Sequence, residues 1–253
     1  VCAVEIFDPS PWQMTLGERA ALEGVLSQLH PRLAVEIGTA EGGSLRRIAA
    51  HSGHVHSFDL VRPDPSMADL ENVTLHTGDS RVLLAKALEG FAERGDNVDF
   101  ALVDGDHTAD GVEHDMRQLL ASEAVSRTVI VAHDTLNDDV RAGLRRIDYA
   151  SDPKVAYFDL DFVGGHLSRG GDFDGQLWGG FALVLVDVKP RQPSTESQFY
   201  DLFDLFSIAR QALLGGGDSR QAQAQLEQIQ RSASWRITAP LRAAKRGVLR
   251  RQP

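Results

Sequence analysis

Short apolar runs punctuate the first 190 positions: LAVEIG (33–38), VHSFDL (55–60), VTLHTG (73–78), VDFALVD (98–104), TVIVAHD (128–134), VAYFDL (155–160) and FALVLV (181–186). Most are separated by segments with helical spacing, such as VEHDMRQLL (112–120). Strands alternating with helices predict an α/β fold, a Rossmann-like doubly wound and mostly parallel seven-stranded sheet with helices on both faces. Upstream, LGERAALEGVLSQL (16–29) repeats apolar residues at helical spacing, and Thr15 with Glu18 three residues later forms a capping box. Only the Gly-rich stretch VGGHLSRGGDFDGQLWGG (163–180) lies between the last two runs. No helical crossover fits there, so the last strand is expected to run antiparallel, in an edge hairpin with a long loop.

Beyond the sheet region, FYDLFDLFSIARQALL (199–214) carries a Phe/Leu stripe that predicts a helix packing on the body. GGG at 215–217 breaks the chain before a Gln/Ala-rich helix (219–230) and the ending SASWRITAPLRAAKRGVLRR. The expected organisation is a main domain over 1–190, a packing helix over 191–214, and an appendage over 215–253.

Composition narrows the function classes. The 253 residues are 42% hydrophobic and 25% charged, as in one globular domain with a small appendage. No apolar run approaches the roughly 20 residues of a membrane helix, and VCAVEIFDPSPW lacks the pattern of a signal peptide. The expectation is a cytoplasmic protein. A lone cysteine, Cys2, leaves no internal disulfide and no cysteine-rich metal site, so a metal here would rest on oxygen and imidazole ligands. Charge is uneven: residues 231–253 hold seven Lys/Arg and no acid, while the preceding 230 carry 19 cations against 36 acids. Such an acidic body argues against nucleic acid as a partner. The basic tail, with Trp235, Ile237, Leu241 and Val248 among its cations, suits either an anionic membrane surface on the inner face or a solvated docking role, and Pro240 interrupts any single helix.

Candidate chemistry begins at AVEIGTAEGGS (34–44), at the first strand-to-helix turn, where an open parallel sheet places its ligand. Gly38, Gly42 and Gly43 admit a ligand close to the backbone, and the following helix offers unpaired N–H groups. The dinucleotide spacing GxGxxG and the P-loop lysine are both missing, which argues against a nicotinamide oxidoreductase. The pattern ExGxxxGGS resembles the first motif of class I S-adenosylmethionine-dependent methyltransferases. That resemblance implies cofactor binding by Glu36, Gly38, Gly42 and Ser44, with Ser44 holding the methionine carboxylate. It also implies Asp59 on the ribose hydroxyls, Asp79 near the adenine amine, and Asp104 beside the methyl group. Taken alone, the glycines also fit an ordinary tight turn, and the acids fit solvated strand ends.

The stretch FALVDGDHTADGV (100–112) crowds Asp104, Asp106, His107 and Asp110 behind a strand. VDGDH resembles the DGSH-type motif of macrolide-sugar O-methyltransferases and their cephalosporin-hydroxylase-like relatives, and more loosely catechol O-methyltransferase. The resemblance implies a divalent cation, Mg²⁺ or Mn²⁺, on Asp104, His133 and Asp134, with His107 as general base. It departs from those relatives at VIVAHDT, where His133 replaces the usual acid, and a nitrogen ligand suits Mn²⁺ or Fe²⁺ better than Mg²⁺. The chemistry is apt, since a bound cation lowers the pKa of a hydroxyl and a histidine titrating near neutrality can remove its proton. Alternatives stay open: His107 as a cap of the next helix, His133 as a buried hydrogen-bonded histidine. Asp106 and Asp110 are expected to be helix caps, with Asp110 and Glu113 as a capping box. His114 is expected at the surface, and His166 with Trp178 either lines an acceptor pocket or is simply a loop histidine.

The expected function is methyl transfer to a hydroxyl of a small-molecule or glycan acceptor, a sugar in polysaccharide biosynthesis, since SASWRITAPLR resembles tails of proteins from that chemistry. Rivals are a metal-independent methyltransferase and a non-catalytic scaffold, and a homo-oligomer is open.

Overall fold

The computed structural model describes residues 12–169, 171–187 and 202–214. Among them, residues 12–166 and 178–187 belong to the main unit. Seven strands form one sheet: β1 (Leu33–Ile37), β2 (His54–Asp59), β3 (Val73–Thr77), β4 (Phe100–Val103), β5 (Arg127–His133), β6 (Val155–Val163) and β9 (Phe181–Asp187). Two short strands, β7 (His166–Leu167) and β8 (Leu177–Trp178), pair separately. The helices are α1 (Leu16–Leu29), α2 (Gly43–His51), α3 (Ser80–Glu93), α4 (Ala109–Ala121), α5 (Asp138–Arg145) and α6 (Leu202–Leu214).

The sheet order is β3-β2-β1-β4-β5-β9-β6. Strands β1 to β5 pair in parallel, whereas β9 is antiparallel to both neighbours. This is the expected Rossmann-like, mostly parallel seven-stranded sheet with one antiparallel strand. The last two strands form the expected antiparallel edge hairpin: β6 is the edge, and β9 lies between β5 and β6. FALVLVD is apolar enough to be flanked on both sides, and Phe181, Ala182, Val184 and Val186 are buried.

Two cores sandwich the sheet. On one face Ala34, Val55, Leu102 and Val131 pack with Leu22 and Leu26 of α1 and Leu45 and Ile48 of α2. On the other, Val35, Ala101, Ile130 and Val184 pack with residues such as Leu84, Met116 and Leu144 from α3, α4 and α5. Helix α1 starts at the expected capping box, with Glu18 N donating to Thr15 Oγ1 and Thr15 N donating to Glu18 Oε2. Helix α4 starts earlier than expected. Thr108 is its N-cap, accepting from Gly111 N at 3.1 Å, while Asp110 pairs with Arg146 and Glu113 with Arg117. The Asp110–Glu113 capping box is therefore not formed, because a threonine one step beyond the Asp106 turn reaches the free N–H groups first.

The parallel strands end together, and β1 and β4 diverge at the switch point of the sheet. Gly38 N donates to Phe58 O and Asp104 N to Ile37 O, both at 2.8 Å, so the ladder carries these two residues to the rim. Gly38 has φ +92°, and a Cβ there would collide with the Asp104 carbonyl. Only glycine allows the two loops to approach so closely.

The described residues 167–169, 171–177 and 202–214 belong to a second unit. Its described part holds a turn in which Gly175 N donates to Ser168 O, a 3-10 turn at Gly171–Phe173, and α6. The helix expected over 199–214 is described from Leu202. The Gln-rich helix and basic tail lie outside the described residues. Among the described residues no helix is long and apolar enough to cross a membrane.

Candidate active site

Beneath the glycine turn sits a buried polar cluster. Glu36 on β1 is 0% exposed and accepts from Ser44 Oγ at 2.6 Å and Ser57 Oγ at 2.7 Å, while the Thr39 and Ser57 hydroxyls share a hydrogen bond. Glu36 lines neither cavity described below, so it supports the turn from underneath. Ser44 reaches the cavity wall, but its proton is given to Glu36. Asp59 ties the turn from the side, accepting from Thr39 N and Ala40 N on Oδ2 and from Val61 N on Oδ1.

Burial pushes the Glu36 carboxyl up to about 8, partly offset by the two serine donors and reinforced by Asp104 and Asp59. The folded chain holds that proton to about pH 8, whereas the unfolded chain releases it near 4.5, so this group costs stability progressively as pH rises between them. Glu36→Gln has no proton to lose. Its melting temperature is expected to match the wild type near pH 5 and exceed it at pH 8, by the equivalent of a few kcal/mol (order of magnitude). Parallel thermal melts at the two pH values check this, and an unchanged difference contradicts it.

A cavity of about 580 Å³ opens beside the turn, lined by Asp59, Asp79, Ser80, Asp104, Asp106 and His107 among others. Its size suits a nucleoside-sized ligand. Asp79 is also the N-cap of α3, with Oδ1 accepting from Arg81 N. A smaller recess of about 90 Å³ lies on the other side, lined by Trp12, Gly42, Ser44, His107, His133 and Asp134 among others. Gly38, Ala40, Asp104 and His107 belong to both walls. The structure thus gathers Gly38, Asp59, Asp79 and Asp104 on one cavity, and Gly42, Ser44, His107, His133 and Asp134 on the adjoining one.

At the junction, carboxylates and imidazoles interleave. His107 Nε2 lies 2.9 Å from Asp134 Oδ2 and 3.5 Å from Asp104 Oδ1. His133 Nδ1 lies 3.0 Å from Asp104 Oδ1 and 3.7 Å from Asp134 Oδ2. Trp178 stands edge-on to His107, 5.7 Å between ring centres. Asp104 and Asp134 bond and pair to His107 strongly enough to lift its pKa to about 9 despite burial. Burial opposes the charge of His133, but Asp104 with Glu18 and Asp134 raises its pKa well above the usual value. Burial likewise opposes the Asp104 carboxylate, and the two imidazoles still hold it down at about 2.

Reading the sequence missed three supports of this junction. Glu18, read only as a cap, is 1% exposed and faces His133 Nε2 at 3.5 Å. Gly179 N donates to Asp134 Oδ1 at 2.7 Å, and Gly180 N donates to Glu18 Oε1. Both glycines have positive φ, and a Cβ on Gly179 would run into Glu18. Ser57 beneath Glu36 was also unread. The doubled glycine in LWGGF was the one available signal. His114 is exposed as expected, with His114 Nε2 and Gln118 Nε2 2.6 Å apart, and His166 is exposed on β7.

The donor set fits a divalent cation. One ligand atom from each of Asp104, His133 and Asp134 lies within 4.8 Å of the others, the spacing that three donors on one ion require. Two carboxylates with an imidazole suit Mn²⁺ or Fe²⁺ as well as Mg²⁺.

Residues 35–135 match the family described as "Methyltransferase domain". No curated protein matches the chain. Similar solved structures include an O-methyltransferase of Klebsiella pneumoniae, described there as putative, at 18% identity, covering 70% of this chain and 83% of that one with a TM-score of 0.46. Another is an O-methyltransferase of Bacillus cereus in complex with SAH, at 20% identity, 71% and 84% coverage and a TM-score of 0.45. A third is the MycE methyltransferase of the mycinamycin biosynthetic pathway with Mg and SAH, at 17% identity, 85% and 58% coverage and a TM-score of 0.49. At these identities none bears on what this chain binds. The family match falls on most of the strands and loops that build the junction, so that over residues 35–135 this chain is similar to that methyltransferase domain, within the Rossmann-like α/β sheet described above.

Proposed function

We propose that the chain transfers a methyl group from S-adenosylmethionine to a hydroxyl oxygen, with His107 as base and a divalent cation on Asp104, His133 and Asp134. One observation carries the reading: His107 stands in the wall shared by the large cavity and the recess, within 3.5 Å of two acids of the candidate cation set. The adenosine moiety occupies the large cavity, with Asp59 accepting from the ribose and Asp79 near the adenine. The methionine end lies over Gly38–Ser44, at the N-terminus of α2, whose free N–H groups suit a carboxylate.

In the transfer, the S–CH₃ bond breaks as the O–CH₃ bond forms. The bonding pair stays on sulfur, giving the neutral thioether, and the hydroxyl proton passes to His107 Nε2. Beside two bare carboxylates, His107 keeps its own proton to about pH 9 and cannot act as a base near neutrality. Asp104, His133 and Asp134 would hold a cation, whose positive charge would offset those carboxylates and lower the pKa of the acceptor hydroxyl. With that charge offset, His107 Nε2 would be free to accept the proton. The remaining acceleration comes from holding the acceptor oxygen in line with the methyl carbon.

A second reading, without metal, draws on one feature. His133 lies among Asp104, Asp134 and Glu18, and its proton neutralises part of their charge. The acceptor we propose is a sugar hydroxyl, a reading supported by the resemblance of VDGDH to the macrolide-sugar enzymes and by the tail sequence.

The test is methyl transfer from labelled S-adenosylmethionine to a panel of glycosides, with and without Mn²⁺. The expected product is an O-methyl ether with S-adenosylhomocysteine. Asp59→Ala is expected to weaken cofactor binding about 10- to 100-fold, through loss of charge-assisted hydrogen bonds of roughly 1.5–3 kcal/mol. Unchanged cofactor affinity in that variant contradicts the assignment of the large cavity.

A further inference from the structure

Glu18 does two things, and only one belongs to its own helix. As the third residue of α1 it completes the capping box, with Oε2 accepting from Thr15 N. A capping acid needs no burial for that, and glutamate is seldom fully buried unless paired. Glu18 is nevertheless 1% exposed. Its other oxygen turns inward, accepting from Gly180 N and lying 3.5 Å from His133 Nε2. His133 is itself 5% exposed, its Nδ1 is 3.0 Å from Asp104 Oδ1, and its Nε2 has no hydrogen-bond partner. The imidazole is thus suspended between one carboxylate on α1 and two at the strand ends.

Resting on the reading of Asp104, His133 and Asp134 as a cation centre, we propose that Glu18 is a positioning residue that fixes His133 with Nδ1 toward that centre, and that the pair biases it toward Mn²⁺ or Fe²⁺ over Mg²⁺. A ligating histidine needs its second nitrogen held as a donor, otherwise the ring turns or takes the wrong tautomer. Glu18 Oε1 is the acceptor placed for Nε2–H, leaving the Nδ1 lone pair for the ion. Gly180 N holds that oxygen, and the capping box holds the other, so the carboxylate is fixed at both ends. Phe181 packs edge-on to the ring, 5.3 Å between centres, and limits its rotation. An oriented nitrogen donor favours transition metals and offers little to Mg²⁺, which prefers oxygen.

The experiment is calorimetric titration of the whole protein with Mn²⁺ and with Mg²⁺, comparing wild type, Glu18→Gln and Thr15→Ala. Glu18→Gln keeps the volume and removes the charge, and it is expected to weaken Mn²⁺ binding about 10- to 100-fold. Mg²⁺ should weaken less, so the Mn²⁺/Mg²⁺ affinity ratio falls. Thr15→Ala breaks the cap alone, and is expected to lower the melting temperature while leaving the ratio as in wild type. In a His133→Asp background there is no ring to orient, and Glu18→Gln should leave the ratio unchanged. An unchanged ratio in the single Glu18→Gln variant, an equal loss for both ions, or a further fall in the His133→Asp background would each overturn the role. Wild type binding neither ion would overturn the cation centre itself, and this role with it.

Discussion

His107→Ala is expected to lower kcat by about 10²–10⁴-fold, the usual span for loss of a general base. Cofactor affinity should change far less, because the other walls of the large cavity remain. Geometry supports the size of the effect. The other imidazole of the junction, His133, is buried and turned toward Asp104 and Glu18, so it is badly placed to take over the proton. The pH profile refines the prediction. With the cation bound, activity should already be rising through the neutral range, since the carboxylates no longer hold a proton on His107. Under chelation the rise should move up toward pH 9, where the bare junction releases that proton. His107→Gln keeps a polar group but no base, and should be as slow as alanine. Retained activity in either variant excludes His107 from proton transfer.

Asp104→Ala is expected to abolish measurable cation binding and to bring turnover down at least as far as His107→Ala. Asp104 is the acid closest to both imidazoles taken together, at 3.0 Å from His133 and 3.5 Å from His107. Its removal would withdraw one of the three proposed ligands and an anchor from each ring, and loss of even an outer partner costs about 10- to 100-fold in metal affinity. Cofactor binding should survive, because the contact that shapes the turn uses the backbone carbonyl of Asp104 against Gly38 rather than the carboxylate. Asp104→Asn separates shape from charge. It should retain the fold and the cofactor, and bind the cation weakly. Equal activity of Asn and Asp at this position would remove the charge, and the cation, from the mechanism.

The fold was legible because a parallel sheet buried on both faces writes near-continuous apolar runs, and LAVEI and FALV are such runs. Strand-end acids were legible for the same reason, since Asp59 and Asp104 stop apolar segments where the strands reach the large cavity. The pairing of β9 with β6 in an edge hairpin was legible from the Gly-rich link between them, whereas its pairing with β5 was not, because an apolar strand states that it is flanked without stating by which neighbours. The start of α4 was misplaced because Thr108 and Asp110 are both competent caps, and the turn at Asp106 decides between them. Glu18 escaped because its cap explains it locally, whereas its partner Gly180 lies 162 residues away. No periodicity or motif spacing encodes a contact of that range.

The most direct measurement is calorimetric titration with S-adenosylhomocysteine in the presence of Mn²⁺ and of chelator, on wild type and Asp104→Ala. The expected result is cofactor binding under every condition, together with a separate Mn²⁺ heat in the wild type that vanishes in the variant. Absence of S-adenosylhomocysteine binding in the wild type would contradict the central claim, and cofactor binding without any Mn²⁺ heat would remove the cation from the account.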